Sequence, residues 1–459
     1  MKAIAVGLRR ARQRLRGIGA ERAFRARMAN IGHLLAGNFG AAAVSILATG
    51  LAARALGPNE FGMLALVVVF VQGVERLVSF QTWQPMIRYG AAVDDAPARL
   101  DDFRSLVKFG VLLDAAGGVA AFTLAVVVAR AGGELFGLGG GAVALVETYA
   151  VVLLFSSTGA AIGVLRLAGR FKETAYIQMA SQSVRAIACA VALAVGAGLA
   201  EFVAIWTATH LLASLVVWAL GAHQLARAGG LDFHRASLAG LSTRFPKIWR
   251  FSVFANLSLT VRSSTQQFDT LLVGALLDPA AAGFYHLAKR VARAANQAGQ
   301  QVQTVVFPEV SKLWSKGDVA AFRRVTLQTE TLLGLLCVVG AVATWFAAPA
   351  AADVFLGPEF APVALLVSVQ IVAVTFLLVG NVTRSALLSM GDDSFVLALS
   401  AATAALYFAL APLLLLTFGA VGGNVAHVAQ GVVWVTALAY RFRRRLAVAP
   451  PPATSAVSD

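Results

Sequence analysis

The feature that most limits this chain is a long series of apolar stretches, each about as long as a bilayer is thick. A membrane-spanning helix needs roughly 20 mostly apolar residues, and stretches of that kind recur from residue 32 to residue 440. Charged residues make up 13% of the chain and hydrophobic residues 58%, where a soluble domain carries about 25% charge. A transmembrane barrel would show alternating strands of about 10 residues instead. The pattern predicts an all-α polytopic membrane protein with about twelve transmembrane helices. They are expected at 32–55, 63–83, 105–130, 142–166, 175–196, 199–222, 248–276, 282–310, 326–348, 360–388, 394–417 and 419–440.

Charge placement predicts the orientation. Most of the 38 lysines and arginines fall on one face of this arrangement. Nine lie between Lys2 and Arg27; others cluster at Arg99–Lys108, Arg166–Lys172, Arg227–Arg250, Lys312–Arg324 and Arg441–Arg445. Only Arg54 and Arg130 flank the other face. Such asymmetry predicts that both termini are cytoplasmic. The net charge of +15 follows from topology, and nucleic acid is not an expected partner.

The chain divides into a basic cytoplasmic N-terminal tail (1–31), a six-helix bundle (32–223), a cytoplasmic linker (224–247), a second six-helix bundle (248–440) and a tail, basic then disordered (441–459). The first segment lacks the apolar core of a signal peptide. Ile4, Leu8 and Leu15 suit a lipid surface with arginines at the headgroups; a solvated basic tail fits as well. Pro, Ala and Ser dominate after Ala447. Cys189 and Cys337 read as small core residues rather than metal ligands.

A repeat relates the two bundles. Ala55-Leu56-Gly57-Pro58 leads to Gly62-Met63-Leu64-Ala65, as Leu277-Asp278-Pro279 leads to Gly283-Phe284-Tyr285. Phe136-Gly137 and Leu356-Gly357 form a second pair at nearly the same offset. Six helices separate the copies, so both halves share one orientation. That is the parallel-repeat plan of many transporters, with the substrate cavity between halves.

The stretch from Phe284 to Val306 is long enough to span yet polar along one side. His286, Lys289, Arg290, Arg293, Gln297, Gln300 and Thr304 recur at spacings of three or four, one stripe on a helix. Further polar stripes carry Ser45 and Thr49; Gln72, Glu75 and Arg76; Gln178, Gln182 and Arg185; Arg262, Gln266 and Asp269; and Gln370, Asn381 and Arg384. Charges at membrane depth are costly and usually mark a substrate path. The expected cavity-lining set is Arg76, Arg185, Arg262, Gln266, Lys289, Arg290, Arg293, Gln297 and Arg384. Arginine's planar fork suits a phosphate-bearing anion, and the amides and hydroxyls suit a sugar.

The acids at membrane depth are Glu75, Asp114 and Asp269, candidates for coupling to a proton or sodium gradient. Each also has a structural reading. Glu75 pairs partially with Arg76, Asp114 is a protonated packing residue, and Asp269 is a partner of Arg262 or Lys289. His210 and His427 read as satisfied core histidines. No P-loop is present, no long outer loop carries a carboxylate pair, and no metal site, catalytic set or cofactor is expected.

Leu56-Gly57-Pro58-Asn59-Glu60-Phe61-Gly62, Gly283-Phe284-Tyr285, Phe307-Pro308-Glu309-Val310 and Phe355-Leu356-Gly357-Pro358-Glu359-Phe360 stand in an order and placement that resembles Wzx-type lipopolysaccharide/oligosaccharide flippases. These belong to the multidrug/oligosaccharidyl-lipid/polysaccharide (MOP) exporter superfamily. The resemblance covers roughly residues 30–440. It implies two six-helix bundles facing each other in a V, in the bacterial inner membrane. It also implies movement of a polyprenyl-pyrophosphate-linked glycan, an O-antigen or exopolysaccharide unit, by alternating access. Implied partners are the lipid-linked glycan, membrane lipids, and the polysaccharide polymerase and chain-length machinery. A cation-coupled multidrug or small-molecule exporter of the same superfamily is the alternative, and its lumen would be acidic or apolar. A glycan polymerase or ligase would need a large outer loop. A non-transporting scaffold would tolerate loss of the cavity charges.

Overall fold

The computed structural model describes residues 2–90, 100–139 and 141–448; side chains are described except in 2–38, 255–267, 298 and 300–305. Among the described residues there are helices and short 3-10 turns and no strand. α1 (Lys2–Val78) supplies the first two crossings, bent at Gly57, whose φ of 68° precedes Pro58. α2 (Trp83–Gly90) completes the second crossing and α3 (Leu100–Gly132) makes the third. α4 (Ala142–Ala150), α5 (Leu153–Ser156) and α6 (Gly159–Leu167) together form the fourth. α7 (Phe171–Ala194) and α8 (Leu199–Arg227) end the first half. After the short α9 (Leu241–Arg244) come α10 (Ile248–Leu276), α11 (Pro279–Ser315), α12 (Val319–Leu356), α13 (Pro362–Ser389), α14 (Asp393–Phe418) and α15 (Ala420–Val448). The basic side chains of the first segment and the Pro/Ala/Ser-rich tail beyond residue 448 lie outside the described residues.

Among the described residues, eight stretches are long and apolar enough to cross a membrane, and one of them, Phe39–Gly90, has 52 residues and holds two crossings. α10, α11 and α15 are not among these, because polar residues interrupt their apolar runs. α1 and α13 are central: 67% and 61% of their most apolar windows are buried, against 11% for α12. α12 turns Leu332, Leu335, Leu336, Val339 and Phe346 outward, as a lipid-facing helix does.

The two halves meet where α1 packs along α10 and α11. The contact is closest at the repeat-equivalent glycines. A Cβ at Gly62 would overlap the Pro279 carbonyl oxygen, and one at Gly283 would lie 2.9 Å from the Gly62 Cα. Only glycine lets these two backbones touch. Phe61, Phe284 and Phe360 pack around this point. The turns at Gly57, Gly137 and Gly357 lie on the same face, termed here the glycine face; the linker lies on the other. Gly137 also packs on the Gly274 backbone. The halves are thus closed on the glycine face.

Two spans expected to be continuous are broken. The second opens at 79–82 and the fourth at Val151–Val152 and Ser157–Thr158. Ser and Thr side chains compete for backbone partners and favour such breaks. Asp114 of α3 joins two of them: the Thr82 hydroxyl donates to Oδ1 at 2.6 Å and the Ala160 N–H to Oδ2 at 2.7 Å. Irregular backbone survives at this depth because it is buried in protein.

The linker is packed rather than loose. Lys108 donates to the His234 and Ala236 carbonyls, Arg104 to the Gly229 carbonyl, and Arg244 pairs with Asp102 at 3.2 Å. Leu241, Phe245 and Ile248 fill a core with Phe103 and Leu106 of α3.

Candidate functional site

α11 forms the wall of the interior. Asp278 accepts from the Ala281 N–H at 2.7 Å and Pro279 opens the first turn, so the helix start is fixed. The helical period then puts Tyr285 and Lys289 at one edge of the polar stripe, Arg290 and Gln297 at the other, and His286 and Arg293 between them.

A polar cavity of about 380 Å³ lies between α1, α7 and α11. Its polar lining among the described residues is Ser45, Gln178, Gln182, Arg290, Arg293 and Gln297, with no acid among them. Behind the wall, Arg185 is buried, donating to Thr209 Oγ1 at 2.8 Å with its guanidinium 5.1 Å over the Trp206 ring. Arg185 lies within electrostatic reach of Arg290, and the exposed Arg76 within reach of Arg293. Three buried polar atoms lack a hydrogen-bond partner among the described residues and belong to lining residues: Ser45 Oγ, Gln182 Oε1 and Arg293 Nη2. Buried polar atoms are nearly always paired, and these three carry hydrogen-bonding capacity that the described residues do not use.

A second cavity, about 800 Å³, lies between α1, α11, α12 and α13, with Arg54 and Phe355 at its end next to the glycine face. Ile46, Leu47, Leu51, Leu287, Val291 and Phe355 make it apolar. Arg290 lines both cavities. A cationic chamber and a mainly apolar groove, the latter also lined by Arg54, therefore share one arginine.

The three acids lie outside the cavity lining. Glu75 accepts from the Ser156 hydroxyl at 2.8 Å, and Asp114 holds the helix breaks. Asp269 is fully buried in the second half. Lys289 Nζ bonds to its Oδ1, as does the Thr270 N–H at 2.7 Å. Oδ2 lies 2.9 Å from His427 Nε2 and accepts from the Tyr285 hydroxyl at 3.3 Å.

Of the expected lining set, Arg290, Arg293 and Gln297 come together, with Arg185 and Arg76 close by. Lys289 is turned onto Asp269. Arg384 is half-buried far along α13, away from the cavity lining. The side chains of Arg262 and Gln266 lie outside the described residues. Sequence reasoning missed the groove, which no motif announces, and the network of Tyr285, Tyr407 and His427 around Asp269. Its one local trace is His427 and Gln430, three residues apart on a helix. No group of three or more metal-ligating side chains occurs among the described residues.

A family model described as "Polysaccharide biosynthesis protein" matches residues 51–365. The chain belongs to the polysaccharide biosynthesis protein family. The chain is 28% identical over 299 residues to Inner membrane protein YghQ of Escherichia coli (strain K12), covering 64% of this chain and 82% of that one. Its fold is that of the MOP superfamily, with two lobes and twelve transmembrane helices. It matches an inward-facing multidrug resistance MATE family transporter of that superfamily with a TM-score of 0.70 at 13% identity, over 89% of this chain and 96% of the other. The lipid II flippase MurJ, in an inward closed conformation, gives 0.69 at 13% identity, over 89% and 87%. An outward-facing MATE family transporter gives 0.54 at 15% identity, over 91% and 95%. The motifs thus led to the right family and to the fold that the structure has, that of the MOP superfamily.

Proposed function

We propose that this protein carries a polyprenyl-pyrophosphate-linked oligosaccharide across the bacterial inner membrane. The observation that carries the reading is the junction at Arg290. An anionic headgroup suits Arg290 and Arg293, sugar hydroxyls suit Ser45, Gln178, Gln182 and Gln297, and an isoprenoid chain suits the apolar groove. The charge asymmetry makes the linker face cytoplasmic. With the glycine face closed, loading from the cytoplasmic leaflet precedes a rocking of the halves that opens the other side. Multidrug relatives of the same fold support a second reading, export of organic cations. A cavity lined by Arg290 and Arg293 repels such cargo.

The test is reconstitution into vesicles with a fluorescent polyprenyl-pyrophosphate disaccharide, comparing wild type with Arg290→Gln/Arg293→Gln. Losing two paired charges from the bound anion costs about 1.5–3 kcal/mol each, so movement of the headgroup should fall at least tenfold. Equal rates in both proteins would remove the arginines from the mechanism. Transport of a cationic dye in place of the glycolipid would favour the exporter.

A further inference from the structure

Arg54 and Arg130 stand at the glycine-face ends of their helices, and their surroundings differ. Arg130, near the end of α3, is neutralised by Glu147 of α4, with Nε 2.6 Å from the carboxylate. Arg54 lies in the last turn of α1 before the bend at Gly57. It donates an N–H to the Val354 carbonyl of α12 at 3.2 Å. Among the described residues no carboxylate pairs with it and its other donors have no partner; Asp353 and Glu359, at the same end of α12, are exposed. A cation in the last turn suits the helix dipole, but that alone does not require the side chain to line a groove.

Arg54 lines the 800 Å³ groove. The ionisable side chains among the described lining residues are Arg54 and Arg290, both cations. They stand at different depths. Arg290 is seven residues past Gly283 in α11, about 10 Å deeper along the helix, whereas Arg54 is three residues from the bend on the glycine face. The rest of the described lining is apolar apart from Thr49 and Thr344, whose hydroxyls donate to carbonyls of their own helices. An apolar trough with an unneutralised cation at its end is complementary to an anionic head on a long apolar chain. On the topology proposed above the glycine face is periplasmic. A lipid with its head at Arg54 and its chain running towards Arg290 then has the orientation of the periplasmic leaflet.

We propose that Arg54 is a second headgroup site, which binds the diphosphate of a polyprenyl diphosphate lipid whose isoprenoid chain lies in the groove. The diphosphate oxygens accept from the guanidinium N–H groups that Val354 does not use, and the planar fork matches two of them at once. The head leaves Arg290 and Arg293 as the halves rock and is taken up by Arg54, while the chain keeps to the groove. Arg54 is thereby the release end of the path. This rests on the cargo proposed above and assigns the residue that holds it before it enters the far leaflet.

The test uses the full-length protein in neutral detergent, with Cys189→Ala and Cys337→Ala, and farnesyl pyrophosphate as the probe. Val354→Cys reports the groove end and Ala42→Cys the polar cavity, and each is read as protection from a maleimide. In the Arg54→Gln background the half-protecting concentration at Val354→Cys should rise about tenfold or more, with Arg54→Lys between it and the parent, while protection at Ala42→Cys holds. Arg290→Gln/Arg293→Gln should weaken protection at Ala42→Cys and spare Val354→Cys. Farnesol has the chain without the charge and should protect Val354→Cys equally with and without Arg54. A loss with farnesol as large as with the pyrophosphate would mean that Arg54 only shapes the groove, and would overturn the proposal. So would unchanged pyrophosphate protection in Arg54→Gln, or equal protection by phosphatidylglycerol, which would make the groove end a general phospholipid site. Each of these leaves the cavity reading standing. If farnesyl pyrophosphate protects neither reporter in the parent protein, both readings fall.

Discussion

Asp392 sits where α13 turns into α14, outside the spans, and accepts from two atoms of the Arg441 guanidinium, Nε at 2.6 Å and Nη2 at 3.0 Å. Arg445 stands 3.5 Å away. The hydrogen bonds from Arg441 hold the Asp392 carboxyl below the usual carboxylate range. A group whose pKa is lowered by folding contributes stability that is full above its unfolded value, about 4, and is lost as pH falls through the lower folded value. Asp392→Asn should therefore lower the Tm by a few degrees at pH 7, and the difference should close below about pH 4. Thermal unfolding of the detergent-purified protein across that range checks it; a difference that widens towards acid would reverse the sign. Local spacing made some residues legible from sequence and left others hidden. Arg290, Arg293 and Gln297 share a face because they are three or four positions apart on one helix. Lys289 belongs to the same stripe, yet its partner Asp269 lies on another helix, and choosing between Asp269 and the cavity requires the packing of α10 on α11. His427 was hidden for the same reason, since 158 residues separate it from Asp269.

At the scale of the element, a twelve-span plan followed from hydropathy, while the interruptions within spans did not. Averaging over a bilayer's length smooths away gaps of two to four residues. The local signals were Ser79, Thr82, Ser156, Ser157 and Thr158 beside Gly159, small polar residues that satisfy backbone groups when a helix opens. What fixes the breaks is Asp114, which reads in sequence as an isolated acid. Asp114→Ala should orphan the Thr82 hydroxyl and the Ala160 N–H at about 1–3 kcal/mol each. Asp114→Asn, which keeps one oxygen acceptor, should lose less. Thermal stability of the two variants in one detergent measures this. Equal stability of Asp114→Ala and wild type would show that the breaks hold without the carboxylate.

At the scale of the whole molecule, the repeat was legible because its punctuation is glycine and proline, whose backbone roles survive divergence of everything around them. Sequence could not say that the equivalent glycines touch. That contact at Gly62 and Gly283 closes one face of the molecule, while the polar cavity lies on the linker side of it. The alternating access proposed above requires these backbones to part, and a side chain at Gly62 should act as a wedge. A cysteine at Gln182, with Cys189 and Cys337 replaced by alanine, reports the open side through a membrane-impermeant maleimide added to either face. With Gly62 in place, labelling should come several-fold faster from the linker face. Gly62→Val overlaps the Pro279 carbonyl, destabilises the closed glycine face, and should shift labelling towards that face. If the valine variant folds and labels as wild type does, the glycine contact is not the gate, and closure must rest on the aromatic cluster of Phe61, Phe284 and Phe360.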